Sequence, residues 1–166
     1  EIGKAHVVQE GRDVTIVTWS KTCHVAAEAA GALAASGTSV ELIDLRSLWP
    51  WDRECVLASA AKTGRLLVAH EAVRDGGFGA EVAATAAEEI AGLKLARLGA
   101  PRIPIPYAPP LEDTVRVTAE TIVGAVNSGQ AAPIAQHLAH LNAAYRNDAP
   151  YSTFLTNHDQ DRLMSQ

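Results

Sequence analysis

Cysteine is scarce in this chain, with two among 166 residues. Cys23 and Cys55 each fall in a stretch with helical spacing, and neither has a second cysteine at a metal-type interval. A disulfide framework is therefore not expected, and a reduced, cytoplasmic setting is. No apolar run is long enough to cross a bilayer, which excludes a transmembrane helix and any membrane role built on one. Basic charge is also short: 14 Lys and Arg against 19 Asp and Glu give a net charge of -5. With no Lys/Arg block, the sequence lacks the basic patch of a nucleic-acid binder. There is no charged-apolar-small signal at the start, and the first residue is Glu1 rather than methionine, so further residues are expected upstream.

What the chain does have is apolar content of 48% with 20% charged residues, the balance of a globular domain with a real core. Alanine supplies roughly a fifth of the residues, which predicts closely packed helices over a thin core.

Strand-like and helix-like stretches alternate from residue 12 to residue 128. Val14 to Trp19 is rich in β-branched residues and predicts a strand. Ala26, Ala29, Ala30 and Leu33 recur at helical spacing, and Gly37 ends that run. Val40 to Leu45 predicts the next strand. Pro50 breaks the chain, and Asp52 is placed to cap a helix with Val56, Leu57, Ala60 and Ala61 on its buried face and Gly64 at its end. Leu66 to His70 predicts a short central strand buried on both faces. A Gly-rich turn, Asp75 to Gly79, precedes a helical stripe of Ala83, Ala86, Ala87 and Ile90. Lys94 to Leu98 predicts the last strand. Five prolines between Pro101 and Pro110 predict an extended loop. Thr118 is placed to cap a final helix, with Val117 and Ile122 as its hydrophobic staple. This βαβαβαβα order implies a mostly parallel sheet with helices on both sides, and Ala5 to Val8 can add an edge strand.

Residues 1–129 thus read as one α/β domain. Residues 130–166 read as a linker and a tail, with a helix drawn from Ile134 to Tyr145 and too few apolar residues for a core of their own.

The chemistry-bearing residues are few. Gly76, Gly77 and Gly79 sit between a strand and a helix, where backbone N–H groups can face a phosphate. Their spacing matches neither dinucleotide nor P-loop patterns, and Asp75 puts a negative charge there. His70 and Glu71 end the third strand of the alternating series, where open α/β sheets form their crevice, but no nucleophile accompanies them. His137 and His140 are spaced for a metal without an evident third ligand, and His6 and His24 read as surface residues. Trp49 and Trp51 flank Pro50 and are candidates for interface anchors. On these residues alone, the chain can be a stand-alone small-molecule or nucleotide-binding domain, with its crevice near His70, Gly77 and Gly79.

Four motifs, in order, carry a resemblance. VELIDLRSLWPWD at 40–52, KTGR at 62–65 leading to His70-Glu71-Ala72, GFGAEV at 77–82, and Pro104-Ile105-Pro106-Tyr107 with Leu111-Glu112 resemble the transketolase C-terminal domain. The version they resemble is that of the β subunit of thiamin-diphosphate-dependent 2-oxo acid dehydrogenases acting on pyruvate, acetoin or branched-chain substrates. The likeness covers roughly residues 3–128 and is specific because the motifs occur together. It implies a three-layer α/β/α fold whose five-stranded mixed sheet has one antiparallel edge strand, assigned to Ala5–Val8. It implies an assembly and interaction domain, inactive alone, that contacts a second β chain, the α subunit and the acyltransferase core.

The resemblance further implies that thiamin diphosphate and magnesium lie elsewhere in the parent enzyme. No catalytic, cofactor or metal residue is therefore assigned here. Interface candidates are His70, Glu71, Gly77, Phe78, Gly79, Glu81, Tyr107 and Glu112, and Tyr107 leans towards the pyruvate and acetoin members. Where the family often carries an acidic docking residue, this chain has Ala91-Gly92, with Glu88 and Glu89 nearby.

The end of the chain resembles something else. Phe154 to Arg162, with Ala144 to Tyr151 upstream, is similar to a segment of α-amylase-type glycoside hydrolases. In that likeness Asp159 would stabilise the sugar transition state and His158 would bind substrate. Such hydrolysis needs a barrel and further carboxylates, so the tail reads as a foreign segment without glycosidase activity.

Overall fold

A computed structural model describes residues 1–128 of the chain. The β-branched and aliphatic runs form the sheet: β1 (His6–Gln9), β2 (Val14–Thr18), β3 (Val40–Asp44), β4 (Arg65–Val73) and β5 (Lys94–Ala100). The helices are α1 (Lys21–Ala35), α2 (Arg53–Thr63), α3 (Phe78–Glu89), a short α4 (Pro109–Glu112) and α5 (Ala119–Ser128). The strands lie in the order β1-β3-β2-β4-β5. Only β1 runs antiparallel, pairing His6 with Asp44 and Val7 with Ile43. The other pairs are parallel, with Ile16 opposite both Leu42 and Leu67.

Alternate side chains of each inner strand supply one core on each face of the sheet. Ile16, Leu42, Leu67 and Leu98 meet Ala26, Ala30 and Leu33 of α1 and Ile122 and Val126 of α5. Val17, Ile43, Leu66 and Val68 meet Val56 and Ala60 of α2 and Val82 and Ala86 of α3. Burial on both faces is what a parallel sheet requires, and it accounts for the near-continuous apolar strands.

The helix boundaries follow from local chemistry. Asp52 caps α2, its Oδ1 accepting from the Cys55 N–H at 3.2 Å, while its Oδ2 accepts the Ala5 N–H at 3.1 Å and ties down the start of the chain. Gly64 ends α2 at φ 66. At the start of α5 the Thr118 and Thr121 hydroxyls each accept the other's backbone N–H, at 3.3 and 2.9 Å, and Val117 and Ile122 are both buried behind them.

A buried carboxylate closes the turn between β1 and β2. Glu41 Oε2 accepts the Gly11 N–H at 3.1 Å and also the Lys62 ammonium. Burial alone would raise this carboxyl's pKa; hydrogen bonds from Lys62, Ser59 and Gly11 outweigh it and hold the pKa below its usual value. Gly11 can approach so closely only because it has no side chain. A Cβ there would overlap the Val40 carbonyl carbon and the Glu41 nitrogen.

Several expectations are corrected. The edge strand is His6–Gln9 rather than Ala5–Val8, and β4 continues to Val73, so His70 and Glu71 do not end it. Ala61 and Ala87 are exposed, and Ser59 and Thr85 take the buried positions on α2 and α3. The proline-rich loop closes in the short α4, with prolines in its first turn. The 130–133 linker, the helix drawn from Ile134 to Tyr145, the His137/His140 pair and the glycosidase-like tail with His158 and Asp159 all lie outside the described residues.

Two glycines give opposite expectations. Gly31, exposed in the middle of α1 with open space where a Cβ would stand, should gain roughly 0.5–1 kcal/mol on Gly31→Ala. Gly11→Ala should lose about 1–3 kcal/mol through overlap with backbone. Urea unfolding midpoints of the two variants against the parent chain check both signs.

Candidate functional site

The chain leaves β2 for β3 on one side and returns to place β4 on the other, so the connections change direction between β2 and β4. In open α/β sheets the crevice outside the carboxyl ends of the strands at such a point is the usual ligand position. Two features occupy that end of the sheet.

The first is built around His70. The side chain is 0% exposed, stacked on Trp19 at a centroid distance of 5.0 Å, and neither ring nitrogen has a hydrogen-bond partner among the described residues. Phe78 packs edge-on against both Trp19 and Trp51. Two glycines of the turn, Gly77 and Gly79, make room for the imidazole. A Cβ on Gly77 would lie 2.8 Å from His70 Cε1, and one on Gly79 would overlap Nε2 and Cδ2. The space above the turn, where an incoming phosphate or nucleotide was expected to sit near His70, Gly77 and Gly79, is filled by the protein's own side chain. His70 and Gly79 are interior, Gly77 and Phe78 half-buried, and Glu71 and Glu81 exposed on either side of them.

Burial lowers the His70 pKa. The Ala72 backbone opposes this without completing a well-aligned hydrogen bond, and the Arg97 charge adds to the lowering.

The second feature is a cleft of about 620 Å³ between the first turns of α1 and α5 and the ends of β4 and β5. Lys21, Thr22, Glu28, Glu71 and Glu112 line it. Two of the predicted interface residues, Glu71 and Glu112, thus meet in one cleft. Tyr107 is 100% exposed on the proline-rich loop, whose Ile105 reaches the cleft. Lys21 and Thr22 were not singled out from sequence. The signal that marks them is position: they open the helix that follows the first parallel strand, after Ser20 at φ 57, a left-handed conformation rare for a residue with a side chain. Trp49 is 84% exposed, while Trp51 is partly covered by Phe78.

A pH dependence follows from His70. Its folded pKa lies below the ordinary 6.5, so the unfolded chain takes up the proton first on acidification. Stability from this residue is complete above that value and is lost as pH falls below it, by at most about 1.4 kcal/mol per pH unit. Denaturant midpoints at neutral and mildly acidic pH should fall for the parent chain and flatten for His70→Leu. An equal slope in both would show that His70 does not titrate with folding.

The family described as transketolase, C-terminal domain, matches residues 3–122. The chain is 48% identical over 87 residues to the mitochondrial 2-oxoisovalerate dehydrogenase subunit beta 2 of Arabidopsis thaliana, covering 52% of this chain and 24% of that one. It is 36% identical over 129 residues to the 2-oxoisovalerate dehydrogenase subunit beta of Bacillus subtilis, covering 75% of this chain and 39% of that protein. It spans well under half the length of these relatives. Among solved structures, a chain described as a split gene transketolase, inactive beta4 tetramer, superposes with a TM-score of 0.71 at 34% identity, over 78% of this chain and 43% of that one. The sheet order, the single antiparallel edge strand and a match that spans the described fold agree: the chain belongs to the transketolase C-terminal domain family.

Proposed function

We propose that this chain is the C-terminal assembly and interaction domain of the β subunit of a 2-oxo acid dehydrogenase. Its relatives are β subunits of 2-oxoisovalerate and pyruvate dehydrogenases, and it matches them over one region of their length. The observation that carries the reading is the surface. Trp49 at 84% exposure and Tyr107 at 100% are large aromatic side chains left in water, together with Ile2 and Ile105. Exposed aromatics on rigid turns are typical anchors of protein contacts. The partners are a second β chain, the α subunit and the acyltransferase core.

At the end of α3, beside the Ala91-Gly92 turn, Glu89 is held by Arg53 and Glu88 has no ion-pair partner among the described residues. Glu88 is the residue that a basic docking segment would meet.

In this reading thiamin diphosphate and magnesium are bound by other parts of the parent enzyme. The donor set here does not fit them. Among the described residues no three His, Cys, Asp or Glu side chains gather as metal ligands, and the glycine turn is packed against His70. Cys23 and Cys55 are free, and burial raises both thiol pKa values, so neither is an activated nucleophile. No helix among the described residues is long and apolar enough to cross a membrane.

Titration of thiamin diphosphate with magnesium into the chain should give no binding heat, and measurable binding would overturn the proposal. Tyr107→Ala and Trp49→Ala should leave thermal stability within about 0.5 kcal/mol of the parent, as surface changes do. Each should weaken association with the β and α partners about tenfold or more by light scattering or calorimetry. Unchanged association in both variants would move the interface elsewhere.

A further inference from the structure

Five aspartates lie among the described residues, and four of them are held by the fold. Asp52 is buried, and its two oxygens accept the Cys55 and Ala5 N–H groups. Asp13 Oδ2 accepts the Ser39 N–H at 2.7 Å, and Asp44 Oδ1 accepts the Arg46 N–H at 3.0 Å. Asp113 is clamped by Arg116. The residue after each is occupied too. The N–H groups of Leu45, Arg53 and Thr114 donate to the Thr18, Trp51 and Leu111 carbonyls, at 2.9, 3.0 and 3.2 Å, and Val14 is buried in β2.

Asp75 differs on each count. It is exposed in the turn between β4 and α3, and its side chain meets only Arg74 Nε, at 3.1 Å. The side chains of that pair are 45% and 55% exposed, and exposed ion pairs hold each other weakly. The next residue, Gly76, is also exposed, at φ 82, with nothing within 4 Å of where a Cβ would stand. Its N–H makes no hydrogen bond among the described residues. Glycine takes this left-handed conformation freely, and without a side chain its nitrogen is open to approach from the Asp75 carboxyl.

We infer that Asp75 is a site of spontaneous covalent rearrangement to isoaspartate, which makes the turn between β4 and α3 the ageing point of the domain. The Gly76 nitrogen attacks Cγ of the Asp75 carboxyl in its protonated form. An N–Cγ bond forms, and the amide proton leaves with the carboxyl hydroxyl as water, closing a five-membered succinimide. Water then adds to the ring. Opening at Cγ restores aspartate. Opening at the former main-chain carbonyl breaks its bond to the Gly76 nitrogen, frees it as a carboxylate and leaves the chain running through the side chain. The product is an isomer of the starting chain, and no oxidant or cofactor takes part.

The consequence is mechanical. The turn gains one backbone carbon just before Gly77 and Gly79, which fit against His70 with no room even for a Cβ. Dense packing transmits a change of one methylene, so the added carbon loosens the turn from the imidazole and from its stack on Trp19. The site does not rest on the assembly reading, and its failure leaves that reading standing.

The test ages the full chain at neutral pH and physiological temperature. Isoaspartate is read by methyl transfer from labelled S-adenosylmethionine with an isoaspartyl methyltransferase, and by peptide mapping. Trypsin releases residues 75–94, in which Asp75 is the only Asp or Asn, so a second peak of equal mass assigns the isomer to it. That peak should grow with time and exceed the isomer at every other described aspartate. Asp75→Glu, which would need a six-membered ring, should lose it. Asp75→Asn, which expels ammonia in place of water, should reach isoaspartate faster than the parent. The aged parent should melt below the fresh one, while aged and fresh Asp75→Glu melt together. Absence of the isomer peak, more isomer at another described aspartate, or an Asp75→Asn chain that ages no faster than the parent overturns the inference. Equal melting of fresh and aged parent, with the isomer present, overturns the loosening around His70.

Discussion

A parallel sheet cannot leave either face wet, and most of this domain follows from that constraint. β2, β3, β4 and β5 need cover on both sides, and the chain supplies it with α1 and α5 on one face and α2 and α3 on the other. Alanine does much of this work. Ala26, Ala29 and Ala30 of α1, Ala60 of α2, and Ala83 and Ala86 of α3 are all buried, so the helices can lie close to the strands while Ile16, Leu33, Leu42 and Leu67 fill what space is left. Crossing from one face to the other between β3 and β4 creates the change of direction that opens the cleft, so the cleft is a by-product of covering the sheet.

The same closeness governs the polar residues inside. Glu41 is buried because the turn at Gly11 has to pass over β3, and its carboxylate is kept charged by donors that the turn and α2 provide. Thr15 sits within 2.8 Å of both the Ser59 and Thr63 hydroxyls, joining β2 to α2 across an otherwise apolar layer. His70 is the exception, enclosed without a hydrogen bond, and Gly77 and Gly79 show how much of the local chain was shaped around it.

Much of the fold was legible in the sequence because the signals were local. The β-branched run at Val14–Thr18, the cap at Asp52, the left-handed Gly64 and the staple of Val117 with Ile122 each act within a few residues. The errors came where a residue type has no sidedness. Alanine is tolerated on any face of a helix, so Ala61 and Ala87 looked as buried as Ala60 and Ala86, while Ser59 and Thr85 were passed over because they are polar. The sequence signal for β4 stops at His70 because Glu71 and Ala72, exposed past the covered centre of the sheet, break its apolar run. The cleft was legible only in Glu71 and Glu112. Lys21 and Thr22 are unremarkable in order along the chain, and only the switch between β2 and β4 brings them to one opening with Glu71.

The two rims of the sheet are not alike. β1 is four residues long, is interrupted by a register shift between Val7 and Gln9, and turns its whole length to the surface. A strand so short and irregular offers a poor template for a further strand, which is how native sheets stop growing. At the β1 rim, union with another chain is therefore left to side chains meeting side chains, a lock that can be opened again, and not to backbone stitching that would run on from copy to copy.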